Sequence, residues 1–279
     1  MPQLRIEQRT AVEQVDGTRD MSDSEHLAVS FDDVDKIFQG PDGEVAAVRD
    51  LSFSVAPGEL VALVGQTGCG KSTAFNLLVG LFPPSSGKVR LQGYDPYDDF
   101  DKLKGRVAVV FQDDRLLPWR TAQDNVALGL QYAGLSKTER REVARRWLAR
   151  LGLEGREEAY PYQLSGGMRQ RVGIARCFAL DPTIILCDES FSALDELTAD
   201  QLREEFVKLV REEGKTGVFI THSIEEALTM GERVLVFRAP GHVSAEVAVP
   251  EELESEELSR YRALVRRAMA GEVTGRLEL

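Results

Sequence analysis

The sequence predicts an α/β fold built around a mainly parallel sheet. Short apolar runs, typical of buried strands, alternate along the chain with segments whose apolar residues follow helical spacing. Because parallel strands need long crossover connections, usually helices, this alternation favours a parallel sheet with helices on both faces. The runs predicted as core strands are Leu60–Val64, Arg106–Phe111, Ile184–Cys187, Val218–Ile220 and Arg233–Phe237.

The N-terminal part of the chain has the pattern of antiparallel strands. Apolar and polar residues alternate over Leu27–Val34, and after the turn at Gly40–Gly43 the strand pattern returns over Val45–Val48 and Leu51–Val55. We therefore expect a small, largely antiparallel sheet that leads into the first core strand. Residues 1–25 are polar and charge-rich, and we expect there a disordered arm or an artefact of start-site assignment.

Helical patterns fill the stretches between and after the core strands. Residues 120–165 are helical in pattern, and within them Ser136 and Glu139 form a capping-box sequence that opens a helix. Further helices are expected over Leu194–Glu213 and over residues 251–270.

The composition limits the classes of function. The chain has 279 residues, of which 43% are hydrophobic, and a formal net charge of −12. This acidic balance argues against a nucleic-acid partner, since phosphate contacts require a basic surface. No apolar run reaches the length of a membrane span, and no signal-peptide pattern opens the chain. Cys69, Cys177 and Cys187 lack metal-ligand spacing, so we expect reduced thiols in a cytosolic protein.

The most specific segment is a glycine-rich loop at residues 65–73, between a strand pattern and a helical one. It matches the pattern G-x-x-x-x-G-K-[ST] at every fixed position. The glycines allow successive backbone N–H groups to point into one hollow, and the following helix adds its positive N-terminal end. We expect Lys71 to reach the phosphates of a bound polyphosphate and Ser72 to bind Mg²⁺. A chance match of a glycine-rich turn is the weaker alternative.

A second anion site is predicted in the segment Leu164–Arg171. Ser165, Gly166 and Gly167 precede a helical pattern, so free backbone N–H groups are expected at the start of that helix. In isolation, an ordinary helix cap would be the better interpretation. The phosphate loop in the same chain favours the anion site.

Two adjacent carboxylates follow the apolar strand Ile184–Cys187. We expect Asp188 to hold Mg²⁺ through water, and Glu189 to orient and deprotonate an attacking water molecule. A solvent-exposed acidic strand end is the alternative. The other motifs make that alternative the weaker one.

The order of these motifs resembles the ATP-binding subunit of an ABC transporter. The phosphate loop is followed by Gln112 at a strand end, the signature Leu164–Met168, the pair Asp188–Glu189, the segment Ser192–Asp195 and His222. The resemblance covers about residues 27–240. It implies a P-loop NTPase fold with a mainly parallel core sheet, an N-terminal antiparallel β subdomain and an inserted α-helical subdomain.

The resemblance also implies a division of the chain into segments. An ABC ATPase domain is expected over residues 26–245, with the helical subdomain inserted at about residues 115–170. An acidic C-terminal helical extension is expected over residues 246–279.

The resemblance further assigns roles to single residues. Gln112 would sense Mg²⁺ and the γ-phosphate of ATP, His222 would contact the γ-phosphate, and Asp195 would lie at a dimer contact. Phe38 would stack on adenine, the alternative being a core phenylalanine. The predicted catalytic residues are Glu189, His222 and Gln112, and the predicted Mg²⁺ ligands are Ser72, Gln112 and Asp188. The predicted nucleotide-binding residues are Phe38, Gly65, Gln66, Thr67, Gly68, Cys69, Gly70, Lys71, Ser72, Thr73, Ser165, Gly166, Gly167 and Asp195.

The partners implied by the resemblance are a second copy of the chain and a membrane permease. Two copies would pair head to tail, so that each ATP site takes the phosphate loop of one chain and the signature of the other. The pair would sit at the cytoplasmic face of the membrane, bound to transmembrane permease subunits and served indirectly by a solute-binding protein.

Two segments resemble one subfamily, the importers of nitrate, sulfonate, taurine and related solutes. These are Arg115–Trp119 and Ala239–Val243. Trp119 is expected either to dock a permease helix or to lie in the core of the helical subdomain. An exporter or lipid-transport cassette remains an alternative function, as does a soluble ABC ATPase acting on nucleic acid or ribosomes. The soluble class is disfavoured by the acidic charge, the single phosphate loop and the lack of a long coiled-coil insertion.

Two departures from the family pattern are visible, at Ser190 and at Thr229–Glu232, where the family usually has a Leu-Ala-Asp run. Ser190 follows Glu189, where the family usually has proline. Serine supplies a backbone N–H and a freer φ angle, so we expect a small shift of the loop that carries Glu189.

Overall fold

The protein is described by a computed structural model over residues 27–41, 43–191, 195–250 and 253–278. The N-terminal arm predicted for residues 1–25 lies outside these ranges, as does the segment Ser192–Leu194. Ten strands and eight α-helices are described within them. The strands are β1 (Val29–Gly40), β2 (Gly43–Val55), β3 (Leu60–Gly65), β4 (Ser86–Leu91), β5 (Val107–Val110), β6 (Ile184–Asp188), β7 (Thr216–Thr221), β8 (Arg233–Arg238), β9 (His242–Ala248) and β10 (Gly275–Leu277).

Most of the helices connect strands of one sheet. Short 3-10 turns at Gly129–Ala133 and Pro161–Gln163 supplement them. The α-helices are α1 (Lys71–Leu78), α2 (Phe100–Leu103), α3 (Ala122–Val126), α4 (Lys137–Arg150), α5 (Gly166–Ala179), α6 (Glu196–Glu212), α7 (Ile224–Met230) and α8 (Ser255–Ala270). None of the helices within the described ranges combines the length and apolar character that crossing a bilayer requires.

The main sheet has seven strands in the order β10-β9-β8-β3-β7-β6-β5. Strands β5, β6, β7, β3 and β8 run parallel to one another, whereas β9 pairs antiparallel with β8. The central strand β3 is buried along its whole length, as expected for a strand covered on both faces. The predicted mainly parallel core sheet is therefore confirmed.

The N-terminal sheet has three antiparallel strands in the order β2-β1-β4. It packs on the main sheet through a core that includes Phe31, Phe53 and Phe237. A second core, which includes Phe178 and Phe206, lies between the main sheet and helices α3 to α6. These two cores give the antiparallel subdomain and the helical subdomain that the motif order implies.

Several element boundaries differ from the sequence expectation. The two short N-terminal strands predicted over residues 45–55 form the single strand β2, because β1 pairs with it across register shifts that absorb the intervening polar residues. Residues 120–165 contain three short elements (α3 and the two 3-10 turns) and the helix α4 rather than continuous helix. The capping box that opens α4 is confirmed: the Ser136 hydroxyl accepts from the Glu139 N–H, and the Glu139 carboxylate accepts from the Ser136 N–H.

The C-terminal segment is joined to the main sheet. Strand β9 crosses the predicted boundary at residue 245, and β10 pairs with β9 in parallel register. Helix α8 packs over α7, β8 and β9, with Tyr261 and Val265 in the shared core. The division of the chain into a domain and an extension stays a prediction.

Candidate nucleotide-binding site

Most of the predicted site residues gather at one edge of the main sheet. Strands β3, β7, β6 and β5 are parallel neighbours, so their carboxyl ends meet at the same edge. Ligands of open α/β sheets bind at this edge. The residues that follow these strands are the loop at 65–73, His222, the pair Asp188–Glu189 and Gln112.

The phosphate loop has the backbone that its glycines permit. Gly68 and Gly70 have φ angles of 81° and 107°, in the left-handed region that side chains disfavour. Lys71 opens α1, and its side chain arches back over the loop. Its Nζ donates to the carbonyl of Gly65 at 2.6 Å and to that of Gln66 at 3.1 Å. The loop thus holds a cation that is only 6% exposed at the start of a helix.

The other loop residues differ in exposure. Gln66, Thr67 and Ser72 are exposed and Thr73 is half-buried, so polar side chains of the loop face solvent. Cys69 is buried, with its Sγ 3.8 Å from Lys71 Nζ. This cysteine fills the space behind the loop: a Cβ built on Gly65 would lie 2.7 Å from its sulfur.

The cysteines outside the loop lie in the protein core. All three cysteines are free and buried. Burial raises the pKa of Cys177 to about 12 and raises the pKa of Cys187 well above its ordinary value. Both thiols therefore stay protonated and unreactive at neutral pH, as their apolar sequence surroundings predict.

The two carboxylates after β6 have different surroundings. Burial raises the pKa of Asp188, and the neighbouring charge of Glu189 raises it further, while Arg115 and Lys71 oppose the effect. Glu189 lies next to His222, with its Oε2 3.2 Å from the ring Nδ1. The charge of Lys71 on the phosphate loop thus acts on the Asp188 carboxylate at the same edge of the sheet.

The residues present fit a bound Mg²⁺ ion. The Ser72 hydroxyl and the Asp188 carboxylate are oxygen donors, the type that this cation prefers. The described residues contain no cluster of three or more histidine, cysteine or acidic side chains that would hold a metal unaided. Magnesium is commonly bound by one or two protein oxygens together with substrate phosphates.

The signature lies at the beginning of α5. The Ser165 hydroxyl accepts from the Met168 N–H at 3.3 Å and caps the helix. Gly167 lies against the first turn of α6, because a Cβ at this position would come within 2.9 Å of the Thr198 methyl group. Asp195 caps α6 in turn, and the N–H of Thr198 keeps the pKa of its carboxyl below the usual range. The signature and Asp195 therefore form one surface, separate from the phosphate loop along the chain.

Phe38 lies in β1 of the N-terminal sheet, and 38% of its surface is exposed. Its ring packs edge-on against Phe82 at a centroid distance of 5.4 Å. Lys36 Nζ lies 5.2 Å from the Phe38 ring centre and 4.6 Å from that of Phe82. The exposure of this residue rules out a fully buried core phenylalanine.

The turn between β8 and β9 braces the phosphate loop against β2. A Cβ on Gly70 would lie 2.5 Å from the Ala47 carbonyl oxygen and 2.6 Å from the Gly241 Cα. The N–H of Gly241 donates to the same Ala47 carbonyl at 3.1 Å. The segment Ala239–Val243 therefore supports the loop that carries Lys71, a contact that its sequence did not predict.

Gln112 follows β5 and is exposed at the sheet edge. The segment after it is fixed to the signature helix: Arg169 Nε donates to Asp114 Oδ2 at 2.9 Å, and Arg176 donates to the Asp114 and Arg115 carbonyls. Farther along, Trp119 is 71% exposed, which excludes the interpretation as a core residue.

A buried ion pair supports the His222 turn and was not predicted from the sequence. The Thr221 hydroxyl donates to the Glu226 carboxylate, which also accepts from Arg203 of α6 at 2.7 Å. The N–H of Ser223 donates to Thr221 Oγ1 at 2.9 Å, so the residues on both sides of His222 are tied down. The spacing of Ser223 and Glu226 is a helix-start signal, but nothing local points to a partner 23 residues away in α6.

Comparison with known proteins identifies the family. A family model described as ABC transporter matches residues 48–192. The chain is 40% identical over 255 residues to the uncharacterized ABC transporter ATP-binding protein MJ0412 of Methanocaldococcus jannaschii, over 88% of this chain and 93% of that protein. This chain belongs to the ABC transporter family. It is also 46% identical over 205 residues to the taurine import ATP-binding protein TauB of Escherichia coli, over 72% of this chain and 78% of TauB.

Solved structures agree with this assignment. The ABC cassette aligns with the dimeric post-hydrolysis structure of the ATP-binding cassette MJ0796 bound to ADP and Pi, at a TM-score of 0.71 and 35% identity over 80% of this chain and 99% of that one. It aligns with cbiO1 of Clostridium perfringens, part of the ABC transporter complex cbiONQ, at a TM-score of 0.73 and 25% identity over 89% and 100% of the two chains. The predicted fold and ATPase activity are therefore confirmed: the chain is the ATP-binding subunit of an ABC system.

Proposed function

We propose that this ABC ATPase hydrolyses Mg-ATP as a head-to-tail dimer and drives the uptake of a small solute through a membrane permease. Taurine, another sulfonate or nitrate is the proposed class of solute. The observation that carries the importer assignment is the 46% identity to a taurine import ATP-binding protein. The segments Arg115–Trp119 and Ala239–Val243, which resemble that subfamily, support it.

The proposed chemistry uses the residues at the edge of the main sheet. Lys71 compensates the charge of the β- and γ-phosphates, and Phe38 stacks on adenine. Ser72, Gln112 and Asp188 would hold Mg²⁺, which would supply further charge neutralisation when bound. Catalysis of this kind depends mainly on positioning and electrostatic stabilisation.

The remaining catalytic roles are proposed for Glu189 and His222, which follow β6 and β7 and contact each other. Glu189 orients the attacking water and accepts its proton, and His222 contacts the γ-phosphate while its ring is held beside Glu189. One further residue, Gln112, senses the metal and the γ-phosphate from the end of β5.

A second copy of the chain is proposed to complete each site. Ser165, Gly166 and Gly167 present the start of α5 as an anion site, and they form one surface with Asp195, the N-cap of α6. A head-to-tail dimer brings this surface over the phosphates of the other chain. The dimeric structures of the related cassette MJ0796 support this arrangement.

A permease is proposed as the membrane partner, at the cytoplasmic face, with a solute-binding protein as the indirect partner. An apolar cavity of about 590 Å³ lies among α1, α2, β5 and the 3-10 turn at Gly129–Ala133. Phe100 and Tyr132 on its rim are 56% and 88% exposed. A groove of this kind suits the apolar face of a helix from a cytoplasmic permease loop, and the surface residue Trp119 is a further proposed contact.

Uptake measurements in the organism that carries the gene test this proposal. Deleting the gene should abolish the uptake of radiolabelled taurine, an alkanesulfonate or nitrate, and the wild-type gene should restore it. Lys71→Ala should fail to restore uptake, since the phosphates lose their principal cationic contact. Unchanged uptake of all three solutes, with intracellular accumulation of an exported compound instead, would refute the importer assignment in favour of an exporter.

A further inference from the structure

The backbone at Glu189 is held in an unfavourable conformation. Its φ angle is +43°, in the left-handed region that residues other than glycine, asparagine and aspartate rarely adopt. Such a conformation persists only where the surrounding structure overdetermines it, and it occurs often at functional sites. The contacts that fix Glu189 therefore bear directly on where its carboxylate points.

The hydrogen bonds that hold this turn include one on Glu189 and two on the next residue. The N–H of Glu189 donates to the Ile220 carbonyl at 2.9 Å. The hydroxyl of Ser190 donates to the Val110 carbonyl at 2.8 Å, and the Ser190 carbonyl accepts from Gln170 Nε2 at 2.6 Å. Strand ends β7 and β5 and helix α5 thus clamp the turn from three sides.

Gln170 lies in the signature helix α5, five residues after Ser165. Its side chain is buried, with the whole residue 5% exposed, and its amide also reaches the Phe111 carbonyl at 3.4 Å. Phe111 directly precedes Gln112. The buried amide of Gln170, in the helix that begins at the signature, therefore connects the end of β5 with the turn after β6.

Ser190 is equally buried, at 4% exposure. Its hydroxyl bonds to a residue 80 positions away, next to the strand end that carries Gln112. Both side chains donate to backbone carbonyls, Gln170 to that of Ser190 and Ser190 to that of Val110. Neither touches the phosphate loop in any described hydrogen bond.

We propose that Gln170 and Ser190 are positioning residues for Glu189. They hold its strained backbone so that the carboxylate faces His222 and the attacking water. Because Gln170 belongs to the signature helix, the same amide fixes the catalytic turn of a chain to the surface that serves the ATP site of its partner. This inference rests on the proposed role of Glu189 as the base.

The test measures hydrolysis and nucleotide binding separately. Gln170→Met keeps the length of the side chain and removes the amide, and Ser190→Ala removes the hydroxyl bond as a milder variant. Each should lower kcat at saturating Mg-ATP by about 10- to 100-fold, as expected for a displaced catalytic group. The affinity for ATP should stay within about threefold of wild type, since the phosphate loop is untouched.

A double variant separates positioning from a general loss of structure. In a Glu189→Gln background the base is already gone, so Gln170→Met should change the residual rate of hydrolysis less than about twofold.

The matched control is Gln123→Met. Gln123 is also buried, at 6% exposure, and its Nε2 donates to the Arg141 carbonyl at 2.7 Å in the helical subdomain. This control should lose a comparable amount of thermal stability and keep the wild-type kcat.

Three results would overturn the inference. They are a wild-type kcat in both Gln170→Met and Ser190→Ala, an equal fall in kcat for Gln123→Met, or a full additional fall in the Glu189→Gln background. Failure of the underlying proposal would look different, because Glu189→Gln itself would then hydrolyse ATP at the wild-type rate.

Discussion

Glu189 and His222 form a contact pair across two neighbouring strand ends, with Oε2 of the carboxylate 3.2 Å from Nδ1 of the imidazole. Strands β6 and β7, which carry them, pair in parallel register at Asp188 and Ile220. When Nδ1 carries a proton, it donates to the carboxylate and fixes the orientation of the ring. This contact keeps the two proposed catalytic side chains together.

The Glu189–His222 contact predicts that His222→Ala loses hydrolysis but keeps its stability and its affinity for ATP. Removing a group that stabilises the transferring phosphate should lower kcat by roughly 10²–10³. The side chain is 57% exposed, so thermal stability should hardly change, and ATP affinity should persist because the phosphate loop is intact. ATPase assays with equilibrium binding of labelled ATP check this. A variant with wild-type kcat would remove His222 from the catalytic residues.

The raised pKa of Asp188 predicts that this carboxylate destabilises the nucleotide-free fold at neutral pH. Burial and Glu189 raise the pKa, so the folded state binds this proton more tightly than the unfolded state does. The contribution of Asp188 to stability therefore falls as pH rises from its ordinary pKa through the raised value, and the penalty is complete at neutral pH. In the absence of nucleotide, Asp188→Asn should raise the melting temperature at pH 7, and the gain should vanish below the ordinary pKa of 3.8.

The same variant should lose activity. An amide holds a metal-bound water less well than a carboxylate, so Mg²⁺-dependent hydrolysis should fall by about 10- to 100-fold. Thermal unfolding across pH and a Mg²⁺ titration of the ATPase rate measure both effects. A lower melting temperature at pH 7 would show that Asp188 has a stabilising partner in the free protein.

Truncation of the two tryptophans of the chain should change the free energy of unfolding by very different amounts. Trp119 is 71% exposed, so Trp119→Ala should change the free energy of unfolding by no more than about 0.5 kcal/mol. Trp147 packs on Phe178 at a ring-centroid distance of 5.3 Å, and Trp147→Ala should cost well over 1 kcal/mol. Denaturant unfolding of both variants checks this difference.

Trp119→Ala, which should leave stability nearly unchanged, should instead impair coupling to the membrane partner. In the assembled transporter, Trp119→Ala should weaken permease association or uncouple hydrolysis from uptake, because an exposed aromatic anchor at an interface is lost. Uptake per ATP hydrolysed measures this effect. Wild-type assembly and coupling in Trp119→Ala would remove this residue from the proposed permease contact.

The features that could be predicted from the sequence depend on residues close together along the chain. The loop at 65–73 and the capping box of Ser136 and Glu139 depend on residues within a few positions of each other, so their geometry follows from local rules. The core strands were found because burial on both faces leaves an unbroken apolar run, as in β3.

Long-range contacts explain what the sequence did not predict. Strand β10 has three residues and pairs with β9 at the edge of the main sheet. The clamp on Ser190 joins residues 80 positions apart, and the Arg203–Glu226 pair joins α6 to α7. In each case neither partner carries a local pattern that points to the other, so only the packed fold brings them together.

ATP-dependent dimerisation of Glu189→Gln tests the central claim most directly. Glutamine keeps the shape of the side chain but cannot take the proton of the attacking water, so hydrolysis should fall by roughly 10²–10⁴ while ATP binding persists. The ATP-bound closed state should then accumulate. On size-exclusion chromatography with Mg-ATP, Glu189→Gln should shift from monomer to dimer more than wild type. Adding Ser165→Arg should abolish that shift by obstructing the signature contact. Normal hydrolysis by Glu189→Gln, or a dimer that forms equally well with Ser165→Arg, would contradict a site shared between the phosphate loop of one chain and the signature of the other.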